Sequence, residues 1–139
     1  MKPIALNRKA YHEYEILEKF EAGIVLTGSE IKSIRQGRVN LAGGFCRIQG
    51  NEAWILNLHL AKAEEPERSR KLLLHRAQIQ SLLGKTQQKG LSLIPLSLYL
   101  KKGKAKLQIA LARGKKLYDR REEIKKRDIK RQTERELKE

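Results

Sequence analysis

Apolar and polar residues alternate along several stretches of the chain, and this two-residue period is that of a strand with one buried face. The longest such stretch covers residues 15–27 and predicts a strand, which we expect to bend near Gly23. The same period returns over residues 91–100 and 107–111, with a lysine-rich turn between them. Pro95 lacks the N–H that a sheet interior needs, so it predicts a sheet edge or a bulge.

A short helix is predicted directly after the first strand. Gly28 ends that strand, Ser29 is a suitable N-cap, and Gly37 is placed to stop the helix. Ile31 and Ile34 share one face of this helix, which we expect to be the buried one. An extended segment follows.

Residues 45–60 have the pattern of a hairpin that turns near Gly50. Its second strand is predicted to fill the rest of this range and to bury alternate residues, namely Trp54, Leu56, Leu58 and Leu60. The polar stretch 61–70 is predicted to be a loop, and residues 71–74 a short apolar strand.

Two further helices are predicted. Asn7 can cap a brief helical turn near the N-terminus, and residues 75–88 place Ile79, Leu82 and Leu83 at amphipathic spacing. About six strands with two or three short helices indicate a mainly β protein, either an antiparallel barrel or a sandwich. Our specific prediction is a small antiparallel barrel of the oligonucleotide-binding (OB) type with flanking α-helices.

The composition narrows the class of partner. The chain has 139 residues, with 31 Lys and Arg against 16 Asp and Glu and a formal net charge of +15. Such a charge favours a polyanion, nucleic acid first and a membrane surface second. No apolar run approaches the ~20 residues that a bilayer span needs. The N-terminus lacks the apolar stretch of a signal peptide, so we expect a cytoplasmic protein.

The amino-acid composition changes after residue 112. From there on, charged residues outnumber apolar ones too strongly for the segment to build a core. We therefore predict a body over residues 1–112 and a basic tail over residues 113–139. The tail is expected to be disordered when free and helical against a charged partner.

Catalytic and metal chemistry are not indicated. Cys46 is the only cysteine, so no internal disulfide can form, and its neighbours suggest a buried thiol. His12, His59 and His75 show no ligand spacing, and no phosphate loop or nucleophile motif occurs. The sequence therefore predicts no catalytic residue, no metal and no cofactor.

Residues suited to RNA occur in three places. The segment 7–14 fits backbone and stacking contacts, with a basic solvated N-terminus as an equally weighted alternative. Residues 70–75 form either a strand edge facing solvent or a surface facing RNA, and the helix after Gly28 shows basic residues to solvent or to a polyanion. The candidates are Asn7, Arg8, Lys9, His12, Tyr14, Lys32, Arg35, Arg70, Lys71, Leu73 and His75.

Five segments carry a family resemblance. They are FEAGIVLTGSEIKSIRQGRVNL at 20–41, NRKA-x-H-x-Y at 7–14, RKLLLH at 70–75, IPL-x-LY at 94–99 and ARGKKLYD at 112–119. Together they are spread over residues 7–119 of the chain. In content and order they resemble the SsrA-binding protein family (small protein B), the partner of transfer-messenger RNA in bacterial ribosome rescue.

The resemblance implies an OB-like barrel that binds the tRNA-like domain of transfer-messenger RNA (SsrA RNA) and delivers it to stalled ribosomes for trans-translation. Glu21, Leu73 and His75 match positions on the face that grips this domain. Because a carboxylate cannot bind phosphate, Glu21 would accept from a base amino group or a 2′-hydroxyl, or orient a neighbouring cation. The loop over 61–70 is shorter than is usual in the family.

The resemblance also assigns a role to the tail. In the family, the matching segment enters the empty messenger channel of a stalled ribosome near the decoding centre and folds into a helix there. Arg120 stands where Lys is commoner, which conserves the charge. The ribosome-contacting residues would be Gly114, Lys115, Lys116, Tyr118, Asp119, Arg120, Arg121, Ile124 and Ile129.

Two other classes of function compete with the adaptor. A structural ribosomal protein would co-purify with a subunit in stoichiometric amounts, whereas an adaptor would associate only in part. An RNA-modifying or RNA-cleaving enzyme is disfavoured because no acid–base or metal constellation occurs. We expect a monomeric, non-enzymatic adaptor.

Overall fold

The structure, a computed structural model, describes residues 3–115. Its strands are β1 (Ala5–Leu6), β2 (Tyr14–Ile24), β3 (Val39–Asn40), β4 (Phe45–Gln49), β5 (Glu52–Leu56), β6 (His59–Leu60), β7 (Arg70–Leu73), β8 (Leu91–Lys101) and β9 (Lys104–Gly114). Its helices are α1 (Arg8–Glu13), α2 (Gly28–Arg35) and α3 (Arg76–Thr86). None of these three helices is long and apolar enough to cross a membrane.

Six strands close into an antiparallel barrel. The order around the ring is β8-β4-β5-β7-β2-β9, and β9 pairs with β8 to complete it. β1 adds to β8, while β3 and β6 form a separate two-stranded ribbon. The prediction of a mainly β, small antiparallel barrel with flanking helices is therefore confirmed.

One apolar cluster fills the barrel, and α2 and α3 pack against it through Ile34 and Leu82. A second, smaller cluster lies outside the barrel under α1, where Ala10 meets Ala110 and Ala112 of β9. Alternate residues of a strand point to opposite faces, which is why β9 contributes to both clusters.

The first long strand ends earlier than predicted and has a register irregularity near its start. β2 stops at Ile24, and its register against β9 shifts between Ile16 and Glu18. Gly23 is the point where β2 pairs with both β9 and β7. A side chain there would meet β7, since a Cβ built on Gly23 lies 3.2 Å from the Leu73 Cβ.

Thr27, not Ser29, caps α2. The Thr27 hydroxyl oxygen accepts from the Glu30 N–H at 3.4 Å, and the Glu30 carboxylate accepts from the Thr27 N–H at 2.8 Å. This reciprocal capping box satisfies two backbone donors at the helix start. The predicted stop at Gly37 is confirmed, because this residue takes a positive φ of 71°.

The buried face of α2 is partly polar. Ile34 is buried as predicted, but Ile31 is exposed because Glu30 and Ser33 occupy the other buried positions. The Ser33 hydroxyl donates to the Ala61 carbonyl at 2.6 Å. The helix is thereby tied to the loop that follows β6.

The hairpin over 45–60 has its turn where predicted. In its second strand, however, two of the four residues predicted to be buried are not buried. β5 ends at Leu56, and Asn57 adopts the left-handed backbone conformation with φ 57°. This residue shifts the alternation by one position, which moves side chains to the other face. The buried residues are Ala53 and Ile55 before it, and Leu58 and Leu60 after it. Trp54 and Leu56 are only half-buried, so the prediction for these two was wrong.

The β8–β9 hairpin forms as predicted, and the register shift between Pro95 and Ser97 confirms a bulge at the proline. Residues 93–98 are buried on both faces because α1 covers the outside of β8. β9 continues through Gly114, so the barrel extends past the predicted end of the body at residue 112.

Candidate nucleic-acid interface

Three long strands, β2, β9 and β8, lie side by side and present one polar outer face. Glu21 pairs with Gln108, Gly23 pairs with Lys106, and Lys106 pairs in turn with Tyr99. Paired residues share a face of the sheet, as do residues two apart on one strand. We call this surface the outer strip, formed by Lys19, Glu21, Tyr99, Lys101, Lys106 and Gln108.

Glu21 is the acceptor in the middle of the outer strip. The Tyr99 hydroxyl donates to it, and Lys101 Nζ lies 3.5 Å from its Oε1. The hydrogen bond from Tyr99 outweighs desolvation and, with Lys101 and Lys106 nearby, lowers the pKa of Glu21. Desolvation and the same hydrogen bond raise the pKa of Tyr99 to about 12. Near neutral pH an ionised Glu21 therefore orients the tyrosine and the lysine.

α1 joins the outer strip in one continuous surface. It packs on the outside of β8 and β9, and Lys19 of the outer strip lies 5.9 Å from the centre of the Tyr11 ring. Three predicted RNA-binding residues of this helix are exposed: Arg8, Lys9 and His12.

Asn7, which was also predicted to bind RNA, has a buried side chain that forms hydrogen bonds within the protein. Its side-chain oxygen accepts from the Ala10 N–H at 3.2 Å, and its amide nitrogen donates to the Pro95 carbonyl at 2.8 Å. The predicted helix cap is therefore confirmed, while the buried side chain positions α1 and does not face a ligand. Tyr14 is half-buried at the start of β2, opposite Gly114.

An apolar groove of about 330 Å³ lies at the other end of β2. The side of β7 supplies Leu73, which is 54% exposed. Arg35, Lys104 and Lys106 line the same groove, and within residues 3–115 no carboxylate does. The structure thus brings the predicted residues Leu73 and Arg35 together, next to the outer strip.

Arg70 is the main correction to the predicted interface. Alternation along β7 turns Lys71 and Leu73 outward and turns Arg70 and Leu72 inward. Arg70 is fully buried, its guanidinium is paired with Glu30, and it donates to a backbone carbonyl at 2.7 Å. It therefore faces neither solvent nor RNA.

Glu30 is shared by two arginines. Arg68 Nη2 lies 2.6 Å from one carboxylate oxygen, and Arg70 Nε binds the other. Burial raises the pKa of Glu30, but hydrogen bonds from Arg68, the Thr27 N–H and Arg70 outweigh it and lower the pKa to about 2. Arg70 also donates to two carbonyls of the 61–70 loop at 3.2 and 3.1 Å. This network fastens the loop, α2 and β7 together.

The other predicted residues of the body lie near this region. Lys71 is half-buried and lies 3.5 Å from Glu52, and His75 is exposed at the N-terminal cap position of α3. Lys32 is exposed on α2 but does not line the groove with Arg35.

Two of the predicted ribosome-contacting residues are described. Gly114 ends β9, and the Lys115 N–H donates to the Glu13 carbonyl at 2.8 Å, so the chain leaves the barrel beside α1. The remaining ones lie outside the described residues: Lys116, Tyr118, Asp119, Arg120, Arg121, Ile124 and Ile129.

The histidines and the cysteine do not converge. In the part of the chain that the structure describes, no group of three or more His, Cys, Asp or Glu is placed to hold a metal ion. Cys46 is buried as predicted, and burial raises the pKa of its thiol. His59 lies 3.6 Å from Glu67, while His12 and His75 are exposed.

Several members of the outer strip were not among the residues predicted from the sequence. Tyr99, Lys101 and Lys106 fall between the apolar positions of their strands, so their outward orientation was visible in the pattern. Their convergence on Glu21 depends on the pairing of three strands, which no local pattern shows.

Comparison with known proteins gives consistent matches. A sequence model of the SmpB protein family matches residues 4–139. The SsrA-binding protein of Carboxydothermus hydrogenoformans is 54% identical over 143 residues, covering 98% of this chain and 96% of the relative. The SsrA-binding protein of Acaryochloris marina is 55% identical over 145 residues, covering 99% and 94%. Among solved structures, a chain in "tmRNA-SmpB: a journey to the center of the bacterial ribosome" is similar with a TM-score of 0.71 and 48% identity, covering 84% of this chain and 87% of that one.

Proposed function

Because the chain belongs to the SmpB protein family, we propose that it is an RNA-binding adaptor that delivers transfer-messenger RNA (SsrA RNA) to stalled ribosomes for trans-translation. The barrel holds the tRNA-like domain of that RNA, and the tail probes the empty messenger channel. The protein places its partners by binding, the ribosome supplies the chemistry, and no catalytic group is required of this chain. The protein acts in the cytoplasm, where bacterial ribosomes work.

The outer strip is the observation that carries this proposal for the barrel. It combines an exposed carboxylate, a tyrosine ring and several lysines on one face, next to the cations of α1. Folded RNA is recognised by its shape through 2′-hydroxyl, phosphate and stacking contacts, and this set of side chains offers all three. Glu21 contributes by orienting Tyr99 and Lys101 and by accepting from a base or a 2′-hydroxyl.

We assign direct RNA contact to the exposed or half-buried residues of this surface and give Asn7 and Arg70 a positioning role. Lys32 and Arg35 extend the surface along α2. The contact residues are Arg8, Lys9, His12, Tyr14, Glu21, Lys32, Arg35, Lys71, Leu73 and His75, together with the other members of the outer strip. The proposed ribosome-contacting segment runs from Gly114 to Ile129.

A competition titration tests the proposal. Labelled tRNA-like domain is competed with unlabelled tRNA and with an unrelated structured RNA at roughly physiological salt, where generic phosphate binding is screened. We expect a preference of about 30-fold or more for the tRNA-like domain, which corresponds to about 2 kcal/mol. Lys106→Gln should weaken this binding, whereas Lys89→Gln, which removes an exposed charge outside the outer strip, should not. Equal competition by all three RNAs would refute selective binding.

A further inference from the structure

A second, larger cleft borders α1. Its volume is about 530 Å³, and its walls come from α1, the start of β2, residues 43–48, the end of α3 and the start of β8. β4 and β8 share only one paired position, Cys46 with Leu93, so the sheet opens here. No residue of the outer strip lines this cleft.

Two aromatic rings line the cleft, Tyr14 of β2 and Phe45 of β4, and both are half-buried. Arg47 is exposed, and its guanidinium carbon lies 5.9 Å from the centre of the Phe45 ring. Within residues 3–115 this arginine forms no ion pair. Lys9 adds a second cation at the rim, although it lies 3.8 Å from the Glu13 carboxylate.

The rest of the lining is apolar with a few polar groups. Leu93 and Ile94 are buried at the base, and Ser92 and Thr86 supply hydroxyl groups. The Thr86 hydroxyl donates to a carbonyl of its own helix at 2.7 Å, which leaves its oxygen free to accept. A ligand that fits this lining is flat, largely apolar on its faces and polar at its edges.

From these features we propose that the cleft receives one unstacked nucleobase of a single-stranded RNA segment, and that Arg47 holds the adjoining phosphate. Aromatic rings stack on bases of any identity, and an exposed arginine beside the ring supplies the charge that the RNA backbone needs. The inference rests on the proposed RNA-binding function and adds a second contact to it. This contact lies outside the outer strip but shares Lys9 and Tyr14 with the proposed RNA-binding surface.

Two RNAs can supply such a base, the tRNA-like domain and the RNA of the small ribosomal subunit. Glu13 lines the cleft, and its carbonyl accepts the N–H of Lys115, where the chain leaves the barrel. The cleft thus lies beside the origin of the tail. This placement favours ribosomal RNA as the source of the base.

The test uses full-length protein and variants of the cleft. Phe45→Leu removes the ring but keeps an apolar side chain, Phe45→Tyr keeps the ring, and Arg47→Gln removes the charge. Arg76→Gln is the matched control, because Arg76 is also exposed but lies on α3 outside the cleft. Each protein is titrated against labelled tRNA-like domain and, separately, against small ribosomal subunits without messenger.

We expect Phe45→Leu to weaken binding about fivefold or more in one of the two titrations, the scale of losing one stacking ring. Phe45→Tyr should bind like the wild type, and Arg47→Gln should lose more affinity than Arg76→Gln. A loss with subunits identifies ribosomal RNA as the source, and a loss with the tRNA-like domain identifies that RNA.

Unchanged affinity of Phe45→Leu and Arg47→Gln in both titrations overturns the proposal. If Phe45→Leu does not fold, Arg47→Gln decides alone, since it alters an exposed side chain. A wild-type protein that fails to prefer the tRNA-like domain would overturn the proposed function instead, so the two failures are distinguishable.

Discussion

At the scale of single residues, ionised groups enclosed in the interior hold α2, β7 and the 61–70 loop together. Arg70 is fully buried and Glu30 is 2% exposed. Removing charges from water is costly, and a buried pair persists only when its partners and hydrogen bonds are complete. Here Arg68, the Thr27 N–H and several carbonyls complete the set.

Glu30→Ala should therefore destabilise the protein strongly. It leaves the Arg70 guanidinium buried without a counter-charge, which typically costs about 3–5 kcal/mol. Urea unfolding measures the change in the free energy of unfolding. Glu18→Ala is the control, because its pair with Lys85 is exposed and is expected to contribute less than about 1 kcal/mol. A similar small effect of both substitutions would contradict the role given to Glu30.

The pH dependence of stability gives a second prediction for Glu30. Its pKa is lowered from 4.5 to about 2 in the folded protein. A depressed folded pKa means that the carboxylate contributes its full stability above about pH 4.5 and loses it as the pH falls toward about 2.

We expect the stability difference between the wild type and Glu30→Gln to shrink by an amount on the order of 3 kcal/mol across that interval. Urea titrations at several pH values measure it. All other carboxylates are the same in the two proteins, so their titration cancels from the difference in unfolding free energy. A difference that stays constant with pH would show that ionisation of Glu30 does not stabilise the fold.

The sequence predicted a strand over residues 71–74, but it placed Arg70 in the preceding loop and did not show that its side chain points inward. Arginine is rarely buried unless it is paired, so a basic residue at the start of a strand indicates an exposed position. Its partner Glu30 is 40 residues away along the chain. No local pattern shows a contact at that separation.

At the scale of elements, β7 divides interior from interface within four residues. Leu72 is 1% exposed and Leu73 is 54% exposed. Leu72→Ala should cost about 2–5 kcal/mol of unfolding free energy, because it leaves a cavity in the core. Leu73→Ala should leave stability within about 1 kcal/mol but weaken binding of the tRNA-like domain.

Thermal unfolding and RNA titration of both variants separate these effects. Leu73→Ala binding as tightly as the wild type would remove the exposed face of β7 from the proposed interface. A loss of stability as large as that of Leu72→Ala would show that Leu73 supports the core instead.

The elements themselves were largely predictable, since periodicity and capping residues are local. α1 with its Asn7 cap, the stop of α2 at Gly37 and the β8–β9 hairpin all follow from such signals. The buried face of β5 was not predictable. It depends on the left-handed conformation of Asn57, which interrupts the alternation and which asparagine permits but does not require.

At the scale of the whole molecule, the barrel and the tail should be separable in function. Deletion from Tyr118 onward removes none of the outer strip, the groove or the second cleft. We expect the truncated protein to bind the tRNA-like domain nearly as the full-length chain does, and to support no peptide tagging on stalled ribosomes. Tagging assays with both proteins measure this, and equal tagging would refute the role proposed for the tail.

The class of the fold could be predicted from strand count and turns, but the order of strands in the ring could not. Strand pairing brings together residues that are far apart in the chain. The proposed interface was unpredictable for the same reason, because the outer strip joins β2 to strands at the end of the body. The family resemblance supplied the expected partner, and the pairing supplied the shape of the surface.

The position of β9 in the chain sets the time at which the barrel can form. Within residues 3–115, β9 is the last strand, and it is the neighbour of both β2 and β8. Ribosomes synthesise about 5–20 residues per second, so roughly 4–16 s pass between the end of β2 and the start of β9. In that interval the edge of β2 that faces β9 has no partner, and open edges associate with other chains. A ribosome that stalls on this protein's own message before Lys104 therefore holds a nascent chain whose sheet cannot close.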